Sequence, residues 1–149
     1  MLKRGHKLIV CCHSTESRAQ TDTVLQRGGD VTATKGEAVT LSCEYNTTST
    51  NAYLFWYKQH ANGSPKFILN RVSFSNDSGD TVEEFRDRFS SNVDPIKKSV
   101  PLRIQKAQLS DSGIYYCALR PTVLRKHRHT VQKHKLTSAV ITVGRFNLH

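Results

Sequence analysis

Three residues constrain the fold of this chain more than any others: Cys43, Trp56 and Cys117. The tryptophan follows the first cysteine by 13 positions, and the second cysteine lies 74 positions after the first. The segment 111–117 reads Asp-Ser-Gly-Ile-Tyr-Tyr-Cys, so Tyr115 falls two positions before Cys117 and on the same face of a strand. Because a random sequence rarely meets all of these conditions, the four residues together restrict the chain to one architecture.

This spacing is typical of the immunoglobulin-type β-sandwich. In that fold the two cysteines form a disulfide between the sheets, the indole packs on it, and the tyrosine hydroxyl reaches back to upstream backbone. Short alternating strands separated by polar turns fit the same fold, and no segment has helical periodicity of useful length. We therefore predict an all-β chain, an immunoglobulin V-type two-sheet Greek-key sandwich with one inter-sheet disulfide. The predicted strands cover 39–43, 52–60, 66–70, a segment starting at 88, 100–104 and 114–119.

The positive charge lies at the two ends of the chain. The formal net charge is +10, but residues 21–119 hold 11 Lys and Arg against 11 Asp and Glu. The first 20 residues contribute +3 and residues 120–149 contribute +7. The basic tail lacks the interleaved aromatic residues that stack on bases, so we expect no nucleic-acid partner. We predict a leader-like or mis-joined segment at 1–20, a V-type domain at 21–119, and a non-native or disordered basic tail at 120–149.

The N-terminal segment only partly matches a secretory leader. Its positive n-region is followed by an apolar run at 8–12, which is shorter than the roughly 7–15 residues of a working signal peptide. No stretch approaches the roughly 20 apolar residues of a membrane span, so the chain as written is not expected to anchor itself.

Other features agree with a secretory route. A disulfide between Cys43 and Cys117 implies an oxidising compartment. Asn-x-Ser/Thr sequons begin at Asn46, Asn62 and Asn76, and these asparagines are the candidate glycosylation sites.

One outer sheet face is predicted to bind a partner. The strands that carry Trp56 and Cys117 are neighbours in this fold, so alternation directs the residues between the buried ones outward. An aromatic face with few charges has the composition of an interface core. The alternative is that the aromatic residues reflect strand propensity alone. The outward residues are Phe55, Tyr57, Gln59, Ile114, Tyr116 and Ala118.

Arg88 and Asp111 form a second predicted constellation, at the base of the sandwich. A guanidinium and a carboxylate there can pair through two hydrogen bonds and close the domain. We assign the pair a structural role, and breaking a buried pair on one side costs roughly 3–5 kcal/mol.

Residues 21–119 resemble a T-cell receptor variable domain of the alpha/delta type. The most specific matches are Trp-Tyr-Lys-Gln at 56–59 and Tyr-Tyr-Cys-Ala-Leu at 115–119. The residue sequence of segment 36–43 is similar to that of such domains in bony fish. The remaining matching residues are Cys43, Pro65, Arg88, Phe89, Leu109, Asp111, Ser112, Gly113 and Ile114.

The resemblance implies a heterodimer with a beta-type or gamma-type variable domain that recognises peptide bound to a major histocompatibility molecule. It implies the extracellular side of the plasma membrane, reached through a constant region that this chain lacks and through which signalling subunits would also bind. It gives Leu109 a structural role in the core. The implied partner contacts are Phe55, Tyr57, Gln59, Pro65 and Tyr116. The implied antigen-binding residues are Thr47, Thr48, Ser49, Thr50, Asn51, Tyr53, Ser73, Phe74, Ser75, Asn76 and Arg120.

The sequence departs from the family after Leu119. No Phe-Gly-x-Gly of a joining segment follows, so we hypothesise an unrearranged germline segment read through into flanking DNA. The edge of the last predicted strand would then be unpaired, although 136–143 has strand propensity and could fill the gap. A spliced joining segment in the transcript would overturn this hypothesis.

Other function classes find less support. No nucleophile, phosphate-binding or paired-carboxylate motif indicates an enzyme, and we expect no cofactor. The histidines at 127, 129 and 134, with the cysteines at 11 and 12, match no standard zinc spacing, so we expect no metal. The main alternative is a V-set domain of an innate immune or cell-adhesion receptor, which stable monomers or homodimers would favour.

Overall fold

The computed structural model of the protein describes residues 22–27, 29–75, 79–121 and 140–149. These residues form ten β-strands, one four-residue α-helix and one 3-10 turn. The strands are β1 (Thr23–Leu25), β2 (Asp30–Ala33), β3 (Val39–Leu41), β4 (Glu44–Asn46), β5 (Ala52–Gln59), β6 (Lys66–Val72), β7 (Phe89–Ser91), β8 (Leu102–Ile104), β9 (Gly113–Pro121) and β10 (Val140–Leu148). The helix α1 is Glu83–Arg86, and the 3-10 turn is Leu109–Asp111.

Two main sheets enclose the core. One has five strands in the order β2-β10-β9-β5-β6, and the other has three in the order β3-β8-β7. The short strands β1 and β4 form a separate antiparallel pair. Within the five-stranded sheet only the β2–β10 pair is parallel. This arrangement confirms the predicted all-β sandwich.

The residues that predicted the fold occupy its centre. Cys43 and Cys117 form a disulfide, with Cα atoms 6.5 Å apart. The indole of Trp56 is fully buried, and its Nε1 donates a hydrogen bond to the carbonyl of Val100 at 3.0 Å. The buried hydroxyl of Tyr115 donates to the carbonyl of Asp111 at 2.6 Å. The indole N–H and the tyrosine hydroxyl therefore both have a partner, as burial requires.

The predicted Arg88–Asp111 pair closes the base of the sandwich. Its two hydrogen bonds run from Nη1 to Oδ2 at 2.5 Å and from Nη2 to Oδ1 at 2.9 Å. The backbone N–H of Gln108 also donates to Oδ2, at 2.8 Å. Lys58 was not predicted here, yet its side chain is buried and its Nζ lies 4.0 Å from Oδ1. One buried carboxylate thus serves two cations.

The prediction that Leu109 belongs to the core is wrong. Its side chain is 65% exposed, because it begins the 3-10 turn at the corner before β9. The apolar residues just before this turn that do belong to the core are Ile104 and Ala107, which are both almost fully buried. The prediction failed because the apolar character of Leu109 suggested burial, whereas the 3-10 turn directs its side chain outward.

The prediction of an unpaired sheet edge is also wrong. β10 pairs with β9 from Val140 opposite Leu119 to Phe146 opposite Gly113. The sandwich therefore extends beyond residue 119 and includes part of the predicted tail. Phe146 is fully buried, with its ring 6.3 Å from the ring of Tyr115. Only the start of β10 overlaps the segment 136–143, and the germline hypothesis stays a prediction because it concerns the transcript.

Candidate functional site

The outer face of the five-stranded sheet brings together the predicted partner contacts. Tyr57 lies opposite Tyr116 of β9 on one side and opposite Phe67 of β6 on the other. Phe55 lies opposite Ala118. The aromatic side chains of this surface are half-buried, so each keeps an exposed portion. We call this surface the partner face and define it by Phe55, Tyr57, Gln59, Phe67 and Tyr116.

Three rings of the partner face form one cluster. The ring centroid of Phe55 lies 6.4 Å from those of Tyr57 and Phe67, and the centroids of Tyr57 and Phe67 are 5.8 Å apart. These separations fall in the range in which aromatic pairs attract each other beyond simple area burial. The cluster is therefore ordered before any partner binds.

Phe67 was missed by the sequence because the register shifts. Trp56 pairs with Leu69 while Tyr57 pairs with Phe67, so Ile68 is an extra residue in β6. Ile68 and Leu69 are both fully buried, which breaks the simple alternation. In the sequence, the two consecutive apolar residues Ile68 and Leu69 were the available signal of a bulge.

Gln59 has a fixed amide orientation. Its Oε1 accepts a short hydrogen bond from the hydroxyl of Tyr116, and its Nε2 donates to the carbonyl of Gly63 at 2.8 Å. A glutamine amide carries two N–H donors and two acceptor positions. These two bonds leave one N–H donor and one acceptor position of the amide unused.

The turn before β6 contains two further predicted residues. Pro65 and Asn62 are both exposed there, on the side of Gln59 where Gly63 lies. Asn46 is an exposed residue at the end of β4, and its Oδ1 accepts from Nζ of Lys98 at 3.0 Å. The third sequon asparagine, Asn76, lies outside the described residues.

The first predicted binding loop, at about 47–53, and the second, at about 72–80, meet at one end of the sandwich. Ser73 joins them, since its Oγ accepts from the N–H of Ala52 at 3.0 Å and its N–H donates to the carbonyl of Ala52 at 3.1 Å. The Ser73 hydroxyl also donates to the carbonyl of Thr50 at 3.3 Å. This end is called the loop end, and it gathers Thr47, Thr48, Ser49, Thr50, Asn51, Tyr53, Ser73, Phe74, Ser75 and Arg120.

The loop end corrects one predicted contact and refines another. Thr47 is only 9% exposed, and its Oγ1 accepts from the N–H of Ser49 at 3.0 Å. Thr47 therefore shapes the turn and does not present a side chain to a ligand. Tyr53 lies within β5 and not in the loop before it. Thr48 and Thr50 are exposed, and their contact with antigen stays a prediction.

Three predicted residues form a row at the loop end. The ring of Tyr53 meets that of Phe74 edge-on, with centroids 5.4 Å apart. The guanidinium carbon of Arg120 lies 5.7 Å from the centroid of Tyr53. Phe74 is 45% exposed and Arg120 is exposed. We call Arg120, Tyr53 and Phe74 the loop-end patch.

Arg71 holds the second loop in place and was not predicted. Its guanidinium is buried and donates to the carbonyls of Ser91 at 2.9 Å, Asn70 at 2.7 Å and Asp80 at 3.3 Å, and to Oγ1 of Thr81 at 3.2 Å. Burial lowers the pKa of Arg71, and the charge of Asp80 opposes that shift. The arginine thus joins β6 to the chain that returns from the loop.

The described residues contain neither a membrane-spanning helix nor a cluster of metal-binding side chains. No helix in the described ranges is long and apolar enough to cross a membrane. No group of three or more His, Cys, Asp or Glu side chains that could hold a metal ion occurs there either. The histidines and cysteines considered as zinc ligands lie outside these ranges.

Comparison with known proteins identifies the family. The immunoglobulin V-set domain family matches residues 26–137. The chain is 32% identical to the human T cell receptor alpha variable 38-2/delta variable 8 over 102 residues, which are 68% of this chain and 84% of that protein. It is 39% identical to the mouse T-cell receptor alpha chain V region CTL-F3 over 102 residues, 68% of this chain and 72% of that protein.

A longer relative belongs to the same family, but the match covers a smaller share of its length. The chain is 32% identical over 105 residues to the human T cell receptor alpha chain MC.7.G5, which is 70% of this chain and 36% of that protein. The chain thus spans about a third of that relative's length. These relatives favour the receptor interpretation over the adhesion alternative.

The family fixes several coarse properties. V-set domains of antigen receptors are non-enzymatic, which confirms the prediction that the chain is not an enzyme. Such domains lie in the extracellular part of membrane receptors and work together with another receptor chain. The chain belongs to the immunoglobulin V-set family and, within it, to the variable domains of T-cell receptor alpha and delta chains.

Proposed function

We propose that the protein is the antigen-recognition variable domain of an alpha/delta-like receptor chain at the plasma membrane. It pairs through the partner face with a beta-type or gamma-type variable domain. The loop end of the pair then recognises peptide bound to a major histocompatibility molecule. Folding brings the two surfaces onto the same strands, β5 and β9, so pairing and recognition share one rigid support.

The aromatic cluster on the partner face carries this proposal. Phe55, Tyr57 and Phe67 pack on one another outside the core and remain half-exposed. A contiguous aromatic patch on a sheet is unfavourable in water and is a common interface core. Tyrosine is also enriched among residues that dominate binding energy.

The five residues that define the partner face are uncharged, which favours a partner with a similar surface. Gln59 and Tyr116 supply polar groups that are already hydrogen-bonded to each other, so covering them carries little desolvation cost. A partner sheet with its own aromatic residues would cover the cluster and meet the remaining amide donor of Gln59. A second variable domain satisfies both conditions.

Pairing is tested by co-expression with a beta-type variable domain of the same species. Tyr57→Asp places a charge in the aromatic cluster and should abolish the heterodimer, measured by size-exclusion chromatography with light scattering. Ile96→Asp is the matched control, since Ile96 is 93% exposed in the turn that joins β7 and β8 of the other sheet. Unchanged pairing of Tyr57→Asp, or stable homodimers of the wild type, would overturn the proposal.

Recognition is tested on the assembled pair. Tetramers of peptide-loaded histocompatibility molecules should stain cells that display the heterodimer and should not stain cells that display the Phe74→Asp variant. Loss of staining with intact pairing would assign recognition to the loop end. Equal staining of both cell lines would show that Phe74 at the loop end does not contribute to ligand binding.

A further inference from the structure

The guanidinium of Arg120 is oriented without being neutralised. It stacks at 5.7 Å over Tyr53, its cross-strand neighbour. Within the described part of the chain no carboxylate forms an ion pair with it, since the ion pairs there involve other cations. A stacked guanidinium keeps the in-plane N–H donors that match a carboxylate.

The other cations near this end are already engaged. Arg71 is buried and donates to backbone carbonyls of Asn70, Asp80 and Ser91. In the turn beside β4, Nζ of Lys97 lies 3.8 Å from Oδ2 of Asp94, and Nζ of Lys98 donates to Asn46. Arg120 therefore differs from its neighbours in being exposed, fixed and unpaired among the described residues.

The patch also has an apolar half that is held firmly. Phe74 follows Ser73, whose hydroxyl and N–H are both bonded across to the strand and loop that carry Tyr53. Its ring packs edge-on against Tyr53 and is 45% exposed. Because these side chains are ordered in advance, ligand binding does not incur the entropic cost of ordering them.

We infer that the loop-end patch recognises a carboxylate that lies beside an apolar side chain on a protein ligand. The carboxylate takes the N–H donors of Arg120, and the apolar group covers the exposed edge of Phe74. Resting on the proposed function, this inference gives the chemical class of the presented surface that the receptor prefers. It assigns Tyr53 a positioning role, because the tyrosine contacts both halves of the patch.

The probe is a phage library of random peptides, selected against the purified full chain. Clones are kept when Arg120→Glu weakens their binding by about tenfold, the size expected for loss of a charge-assisted hydrogen bond. Arg103→Glu is the matched control, since Arg103 is an exposed arginine on β8 of the opposite sheet, and it should leave these clones bound.

The kept clones should share Asp or Glu next to an apolar residue. A selection against Arg120→Glu should yield Lys or Arg at that place, and one against Phe74→Ser should keep the acidic residue and lose the apolar one. Kept clones without an acidic residue, or no clone sensitive to Arg120, would overturn the inference. Acidic enrichment without staining by histocompatibility tetramers would instead overturn the proposed function and leave the patch intact.

Discussion

The carboxylate of Asp111 accepts hydrogen bonds from both terminal nitrogens of Arg88, at 2.5 and 2.9 Å, and the Asp111 side chain is only 2% exposed. The carboxylate of Asp111 also accepts a hydrogen bond from the backbone N–H of Gln108, and its backbone carbonyl accepts one from the hydroxyl of Tyr115. The corner before β9 is thus fixed by one aspartate. Because β9 supports both the partner face and the loop-end patch, this corner sets the position of both surfaces.

Replacing Asp111 by Asn should destabilise the domain strongly. The change leaves Arg88 and the buried Lys58 without a counter-charge, and breaking a buried pair from one side costs roughly 3–5 kcal/mol. Urea denaturation followed by Trp56 fluorescence measures the loss. Glu83→Gln is the control, because the Glu83–Arg86 pair is exposed and should contribute about 0–1 kcal/mol. Equal losses in the two variants would contradict the assigned role.

The same aspartate should make stability depend on acid. Burial alone would raise the pKa of Asp111, but hydrogen bonds from Arg88 and Gln108 and the charges of Arg88 and Lys58 hold it below its usual value. A carboxyl group with a lowered folded pKa stabilises fully above its unfolded pKa of about 3.9, and this contribution is lost as the pH falls through the folded pKa. Unfolding free energies at acid pH should therefore fall less steeply in Asp111→Asn than in the wild type. Parallel curves would count against the pair as the source.

The sequence predicted those parts of the molecule whose residues have a single packing role. Cys43, Trp56, Cys117 and Tyr115 lie where their spacing placed them, because each must reach a partner at fixed distance inside the core. The partner face followed by alternation from Trp56. Alternation failed at the bulge in β6, which brought Phe67 outward. It also predicted an outward position for Ala118, which is only 3% exposed.

The residues missed by the sequence are those whose environment depends on distant chain segments. Lys58 and Arg71 are charged and would ordinarily be exposed, but carbonyl groups from Ser110 and Ser91 satisfy them inside the sandwich. β10 was anticipated only in part, as strand propensity at 136–143, because the segment lacks the Phe-Gly-x-Gly motif that usually marks this strand. Its alternating Gly144, Phe146 and Leu148 are buried, which was a usable period-two signal.

Gly79 should be intolerant of any side chain. Its φ is +72°, and a Cβ there would lie 2.4 Å from the carbonyl oxygen of Asn70. Gly36 is the matched control, since its φ is +90° but a Cβ would meet nothing within 4 Å. Gly36→Ala should cost about 1–2 kcal/mol from backbone strain alone, and Gly79→Ala should cost more. Thermal unfolding compares the two. A smaller loss for Gly79→Ala would show that the end of the second loop can move away from β6.

Phe146 should be essential to the fold although it lies in the predicted tail. Its ring is fully buried against Tyr115, so Phe146→Ala removes a large side chain from the core and should cost about 3–5 kcal/mol. Arg145→Ala is the control, because Arg145 is the exposed neighbour on the same strand and should change stability by less than about 0.5 kcal/mol. Denaturant unfolding of both variants measures the contribution of β10. If the two variants unfold at the same denaturant concentration, β10 is not an integral strand of the sheet and the edge of β9 is open after all.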